Sequence, residues 1–179
     1  MSIWTDLWNL FFPHSCLLCG RQLISGERVL CLKCLSRLPR TQFHLRKDNI
    51  VECNFWGKIP VEHATSFLYY AKGGNVRQLL YELKYHGNQE VGEVMGRMMA
   101  SELMCSHFFD GIDLIVPVPL HQRKKRLRGY NQSECLARGV SVVTGIPMDT
   151  KVVIRSRYTD TQTHKGCLLY TSPSPRDST

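Results

Sequence analysis

The sequence predicts an α/β domain with a parallel sheet, preceded by a small metal-stapled domain and cut short at its far end. Three observations carry this. Two C-x-x-C pairs stand near the start, at Cys16/Cys19 and Cys31/Cys34. Short apolar runs alternate with helix-period segments from residue 64 onward. Finally, the last residues, Thr171 to Thr179, are a Ser/Thr/Pro stretch with no core-forming pattern.

Taken in order, residues 1–13 read as an amphipathic helix. Trp4, Leu7, Trp8 and Phe11 recur at helical spacing, and Pro13 stops it. Packing on its own domain is the simpler use of such a face, with a membrane or partner anchor as the alternative. Residues 14–60 form a metal ribbon and a linker, with 41–60 lacking any clear period. The second domain spans 61–166. Thr65 to Ala71 is expected as a strand, Gly73-Gly74 as a turn, and Asn75 as the cap of a helix bearing Val76, Leu79, Leu80 and Leu83. Gly87-Asn88 separates it from a helix running to about His107. Asp113 to Val116 reads as a buried parallel strand ending in Pro117-Val118-Pro119, followed by a basic loop. A helix starts near Asn131 and closes at Gly145, and Val152 to Ile154 is a further short strand. Residues 167–179 are expected to be an unpacked tail.

Eleven residues separate the two cysteine pairs. Two tight turns, each with two thiolates, make a four-sulfur cage that suits zinc and excludes hard ions such as magnesium. Cys16, Cys19, Cys31 and Cys34 are therefore the metal ligands, and a closed site of this kind is structural, not catalytic. Arg21, Arg28 and Lys33 lie near enough in sequence to soften the tetrathiolate charge. Cys105 and Cys135 read as small buried hydrophobes. Unpaired C-x-x-C cysteines and the absence of a cationic leader before the apolar N-terminal stretch point to a reducing, cytoplasmic setting. No apolar run approaches the roughly 20 residues of a membrane span.

The formal charge is +8, from 23 Lys and Arg against 15 Asp and Glu. Residues 111–179 hold 11 of the 23 cations. Five of the six residues from Arg123 to Arg128 are basic. They follow an expected strand end and precede a helix start, where open α/β sheets bind ligands and free N–H groups receive phosphate. Gly129 permits close backbone approach, and Asn131 and Gln132 add neutral donors. The expectation is an anion cradle for a diphosphate or a nucleic-acid backbone. The alternative is a solvated basic loop.

The string PVPLH-x-R-x-x-R-x-R-G-Y-N-Q after DLI resembles the ComF family of phosphoribosyltransferase-like proteins, with which GntX-type members are grouped. The paired C-x-x-C, YYAKGGNVRQLLYELKYHG and RSRYTDTQT carry the same resemblance, over about residues 8–166. It implies an N-terminal zinc ribbon joined to a type I phosphoribosyltransferase fold, and a part in DNA uptake during competence. It implies that Pro117, Val118 and Pro119 form the pyrophosphate-side loop. It further implies that Arg155 to Gln162 lead into a mobile loop, and that Arg126, Arg128, Gly129, Asn131, Gln132, Thr159 and Gln162 contact ligand. Phosphoribosyl pyrophosphate with magnesium is the ligand expected of an intact parent. Single-stranded DNA and competence proteins are the partners expected of a non-catalytic adaptor. The family's adjacent acidic pair and Thr/Gly phosphate turn have no counterpart in these 179 residues. The chain therefore reads as a truncated member without transfer activity of its own, and no catalytic residue is assigned.

Overall fold

A computed structural model describes residues 14–158. The expected helix at 1–13 and the tail at 167–179 lie outside the described residues, as do Thr159 and Gln162. The elements in chain order are α1 (Leu32–Ser36), a 3-10 turn (Phe43–Leu45), α2 (Ile50–Cys53), α3 (Asn75–Tyr85), α4 (Gln89–Met104), α5 (Gln122–Arg128) and α6 (Gln132–Thr144).

The helices largely follow the apolar spacing. On α3, Val76, Leu79 and Leu83 are buried, one turn apart. Gly74 is its N-cap, whereas Asn75 is already helical and makes no side-chain cap. Gly87, at φ +70°, makes the left-handed break before α4. That helix buries Val91, Met95, Ala100 and Leu103 and ends at Met104, one turn short of the expected His107. Cys105 follows it into solvent and is exposed, contrary to its reading as a core residue. Asn131 caps α6 by accepting from the Ser133 N–H at 3.1 Å, and Gly145 ends it at φ +74°.

The contact between α4 and α6 is the most extensive between elements. Three glycines allow it. A Cβ on Gly92 would stand 2.6 Å from the Cys135 Cβ. One on Gly96 would overlap the Leu136 carbonyl oxygen, and one on Gly139 that of Glu93. Backbone thus meets backbone, and the pair is tied at its rim by Arg138 Nη1 to Glu93 Oε1, 2.6 Å.

Extended pairing among the described residues is sparse. Arg40 bridges Leu68 antiparallel, with Thr41 N–H donating to Phe67 O at 3.1 Å and Tyr69 N–H to Pro39 O at 2.9 Å. Ile115 bridges Met148 in parallel, through Ile115 N–H to Pro147 O at 2.9 Å and Asp149 N–H to Ile115 O at 3.1 Å. The expected strand at Thr65–Ala71 thus contributes one bridge at Leu68. The segment Val152–Ile154 forms no strand: it is bent and exposed, and the parallel partner of Ile115 lies earlier, at Met148. With one partner on one side, Ile112, Leu114, Val116 and Val118 keep an exposed face.

Residues 41–60, expected as a linker, contain an ordered turn of helix. Asn49 accepts from Val51 and Glu52 N–H, and the Glu52 carboxylate accepts from Asn49 N–H in return, a reciprocal capping box. Among the described residues one apolar cluster joins the two parts of the chain. It joins Cys16, Val29, Leu30, Cys31 and Leu38 to Leu79, Leu83, Val91, Met95, Tyr130 and Cys135. The cysteine segment is therefore packed on α3 and α4, and Gln78 Nε2 donates to Leu17 O across that seam.

Candidate functional site

Residues 16–34 build a compact cysteine centre. Each C-x-x-C pair lies on a tight turn, closed by Gly20 N–H to Cys16 O at 2.8 Å and by Leu35 N–H to Cys31 O at 2.9 Å. The four sulfurs lie within 4.8 Å of one another. Cys19 Sγ and Cys31 Sγ are 3.7 Å apart. A tetrahedral ion with metal–sulfur bonds of about 2.3 Å needs sulfurs about 3.8 Å apart, so the cage has the size of one ion. Cys16 and Cys31 are buried, Cys34 is half-buried and Cys19 faces out.

The local electrostatics favour a bound cation. Burial opposes charge on Cys16, but N–H groups of Cys31, Cys19 and Leu18 and the Cys19 side chain point at its sulfur, and its pKa falls to about 6. Burial and the neighbouring sulfurs push Cys34 up to about 12. Four thiolates cannot share this volume without a positive centre.

Between the pairs, Glu27 braces the loop. Its carboxylate accepts from Leu32 N–H at 2.8 Å and from Ile24 N–H at 3.1 Å, and Arg21 lies 3.6 Å away. Those N–H groups hold its pKa below the usual 4.5. Arg21, expected to soften the tetrathiolate charge, pairs with this carboxylate. Nothing in the sequence spacing singles out Glu27.

The second region follows the Ile115 bridge. The segment read as a basic loop is helical: Gln122–Arg128 forms α5, capped by His121 Nδ1, which accepts from Arg123 N–H at 3.2 Å. Lys, Arg, Gln and Leu are all good helix formers, and the His121 cap closes the first turn. Gly129 ends it at φ +80°. Tyr130 then turns inward, is buried, and donates its hydroxyl to Leu83 O on α3.

Of the residues expected to form one cradle, Pro117, Pro119 and Asn131 line one concavity, Arg128 lines a second, and Val118, Arg126, Gly129 and Gln132 line neither. The first, about 300 Å³, includes Pro117, Pro119, His121, Lys125, Asn131 and Glu134. Asn131 is buried and already engaged: its Nδ2 donates to Val118 O at 3.0 Å while its Oδ1 caps α6. Glu134, which the cation count overlooks, stands in this cavity and pairs with Lys125 at 3.0 Å. The N-x-x-E spacing of Asn131 and Glu134 is the signal that could have found it. The Gln132 Nε2 is buried nearby without a partner. Val118 is exposed.

The second concavity, about 560 Å³, lies between the end of α3 and α5 and includes Lys84, Tyr85, His86, Lys124, Arg128 and Tyr158. The Arg128 guanidinium stands 6.0 Å from the Tyr85 ring centre, and Arg123 and Lys124 stand 5.3 and 5.4 Å from that of Tyr158. Arg126 is exposed and outside both concavities, and Leu127, also exposed, lines the second.

The structure thus holds an ion-sized cage of four sulfurs and a seven-residue helix carrying five cations. Comparison with known proteins finds relatives of one name. Over 150 residues, 82% of this chain and 62% of the relative, it is 29% identical to DNA utilization protein YhgH of Escherichia coli K12. It is 32% identical over 94 residues to the protein of that name from Salmonella typhimurium, covering 51% of this chain and 41% of that protein. The chain thus spans about three fifths of the length of the Escherichia coli relative. No family model matches the chain. No solved structure matches it. No helix among the described residues is long and apolar enough to cross a membrane.

Proposed function

We propose that this chain handles nucleic acid in the cytoplasm as a ComF-like protein. In this reading the cysteine centre holds a structural zinc ion and α5 presents cations to a phosphate backbone. The observation that carries it is the clustering of Arg123, Lys124, Lys125, Arg126 and Arg128 on one seven-residue helix. The name borne by the relatives, for DNA utilization, supports the same reading. Zinc is the ion we assign to the four sulfurs, because an all-thiolate tetrahedral cage prefers it and leaves no open position for chemistry. Its role is to hold residues 14–38 against α3 and α4. Competence proteins are the partners such an adaptor would serve.

A second reading is supported by the cavity lined by Pro117, Pro119 and Asn131, which opens beside the first turn of α6. In that reading it receives a diphosphate, with phosphoribosyl pyrophosphate and magnesium as the ligand of the family it resembles. Glu134 weighs against it, since a carboxylate paired with Lys125 already occupies that helix end.

One titration tests both. A labelled oligonucleotide, followed by anisotropy at several salt concentrations, should bind with an affinity that falls steeply as salt rises. The double substitution Arg126→Ala and Arg128→Ala should flatten the logarithmic slope by about 1 to 2. Undetectable binding at low salt would reject the nucleic-acid reading. Displacement of the oligonucleotide by phosphoribosyl pyrophosphate with magnesium, beyond that by pyrophosphate alone, would favour the second.

A further inference from the structure

We infer that the groove between α3 and α5 takes an unpaired nucleobase against Tyr85 and Tyr158, so that the protein prefers single strands to duplex. This rests on the nucleic-acid reading above and deepens it. Three observations point to it.

First, large aromatic surface is left in water where cations converge. Tyr85 is 58% exposed and Tyr158 38% exposed, and both line the same groove. Tyr81, one turn before Tyr85, is also exposed and lies 4.9 Å from it, ring centre to ring centre. An i,i+4 tyrosine pair supports a helix, which accounts for Tyr81 and Tyr85 but not for Tyr158, contributed by a distant segment.

Second, the charge is of one sign. Lys84, Lys124 and Arg128 line this groove with no carboxylate among its lining residues. The cavity around Pro117 contains Glu134, and the one around His44 contains Asp48, Glu52 and Glu62. A phosphate therefore meets less repulsion between α3 and α5 than in either of those.

Third, the dimensions and chemistry agree. About 560 Å³ lies within the range of roughly 300–1,000 Å³ typical of small-ligand sites. Arg128 stands over the Tyr85 ring and Arg123 and Lys124 over that of Tyr158, 5 to 6 Å from the ring centres; on binding they would turn to the backbone phosphates and yield the ring faces to its bases. In a duplex those faces are already stacked and paired. Only the phosphates of a duplex are then available, and they engage α5 alone.

The test uses the full chain, metal-loaded, with a labelled oligothymidylate and a duplex of equal length. Tyr85→Leu keeps an apolar helix former but removes the π face. It should weaken single-strand binding about tenfold, well beyond any loss on the duplex, with the single-strand salt slope unchanged. Tyr85→Phe should restore most of the lost affinity. Equal binding of single strand and duplex by the wild-type chain, or equal losses on both with Tyr85→Leu, overturns the inference while leaving the cationic helix as the binding element. A wild-type chain that binds neither form overturns the nucleic-acid reading itself. A Tyr158→Leu variant provides an independent arm on a residue outside any helix, where folding of α3 is not at stake.

Discussion

The cysteine segment and the α4–α6 pair are held together by opposite means. Residues 14–38 bury Val29, Leu30 and Leu38 beside Cys16 and Cys31, while Ile24 and Leu32 there face solvent. What organises them is four sulfurs in the volume of one ion, with Glu27 bracing the loop between. The helix pair needs no ion. It gains from the close backbone approach that Gly92, Gly96 and Gly139 permit. Yet the two share one apolar cluster, through Cys16 and Cys31 on one side and Val91, Met95 and Cys135 on the other. The contrast teaches that the cysteine cage is tied to the helices that shape the candidate groove, since Leu79 and Leu83 of α3 join the same cluster and the Leu83 carbonyl receives the Tyr130 hydroxyl just after α5.

The largest expected effect is metal removal. A strong chelator should cost on the order of 5 kcal/mol or more and expose the amides of residues 14–38 to hydrogen exchange, while those of α4 and α6 stay protected. Unchanged protection of 14–38 would mean the apolar contacts alone suffice there. Next, Gly96→Ala drives a methyl into the Leu136 carbonyl and should destabilise by about 1–3 kcal/mol or more. The sulfur cage should still bind its ion, so the thermal midpoint should fall with metal stoichiometry intact. A midpoint equal to wild type would show that the helices can part at little cost.

Tyr130→Phe probes the join between the regions. Losing the bond to Leu83 O should cost about 1 kcal/mol, read as a shift in urea midpoint with unchanged slope. The smallest effect concerns acid. Because the folded state holds the Glu27 carboxyl below 4.5, its contribution is present above that pH and disappears as pH falls through the lowered value. Glu27→Gln should therefore flatten the stability profile below about pH 4.5 and leave it lower at neutral pH. Parallel profiles for the two proteins would contradict the bracing role.

Much of this was legible in the residues. The paired cysteines announce a cage because a metal imposes its spacing on short turns. The helices α3, α4 and α6 announce themselves because burial on one face needs a 3.6-residue period. The helix α5 did not, because its charged residues carry no apolar period and read equally as loop. The capping box at Asn49 and Glu52 was readable but sits in a segment with no surrounding pattern. The strand expectations at Thr65–Ala71 and Val152–Ile154 rested on β-branched and aromatic content, which reflects fit to a sheet face more than a backbone preference. With a single pairing partner at Leu68 and none at Val152, those stretches had no such face to fit.

By itself the sequence determined the ligand set of the cage, the apolar faces of three helices and the concentration of positive charge between Arg123 and Arg128, because each depends on spacing along the chain. Tertiary structure alone decided where that charge points. Whether Lys125 meets Glu134, whether Arg128 meets Tyr85, and whether three glycines bring α4 and α6 into backbone contact all depend on which distant residues folding places opposite them. No local pattern encodes that choice, since the energy of each contact exists only once both partners have been brought together.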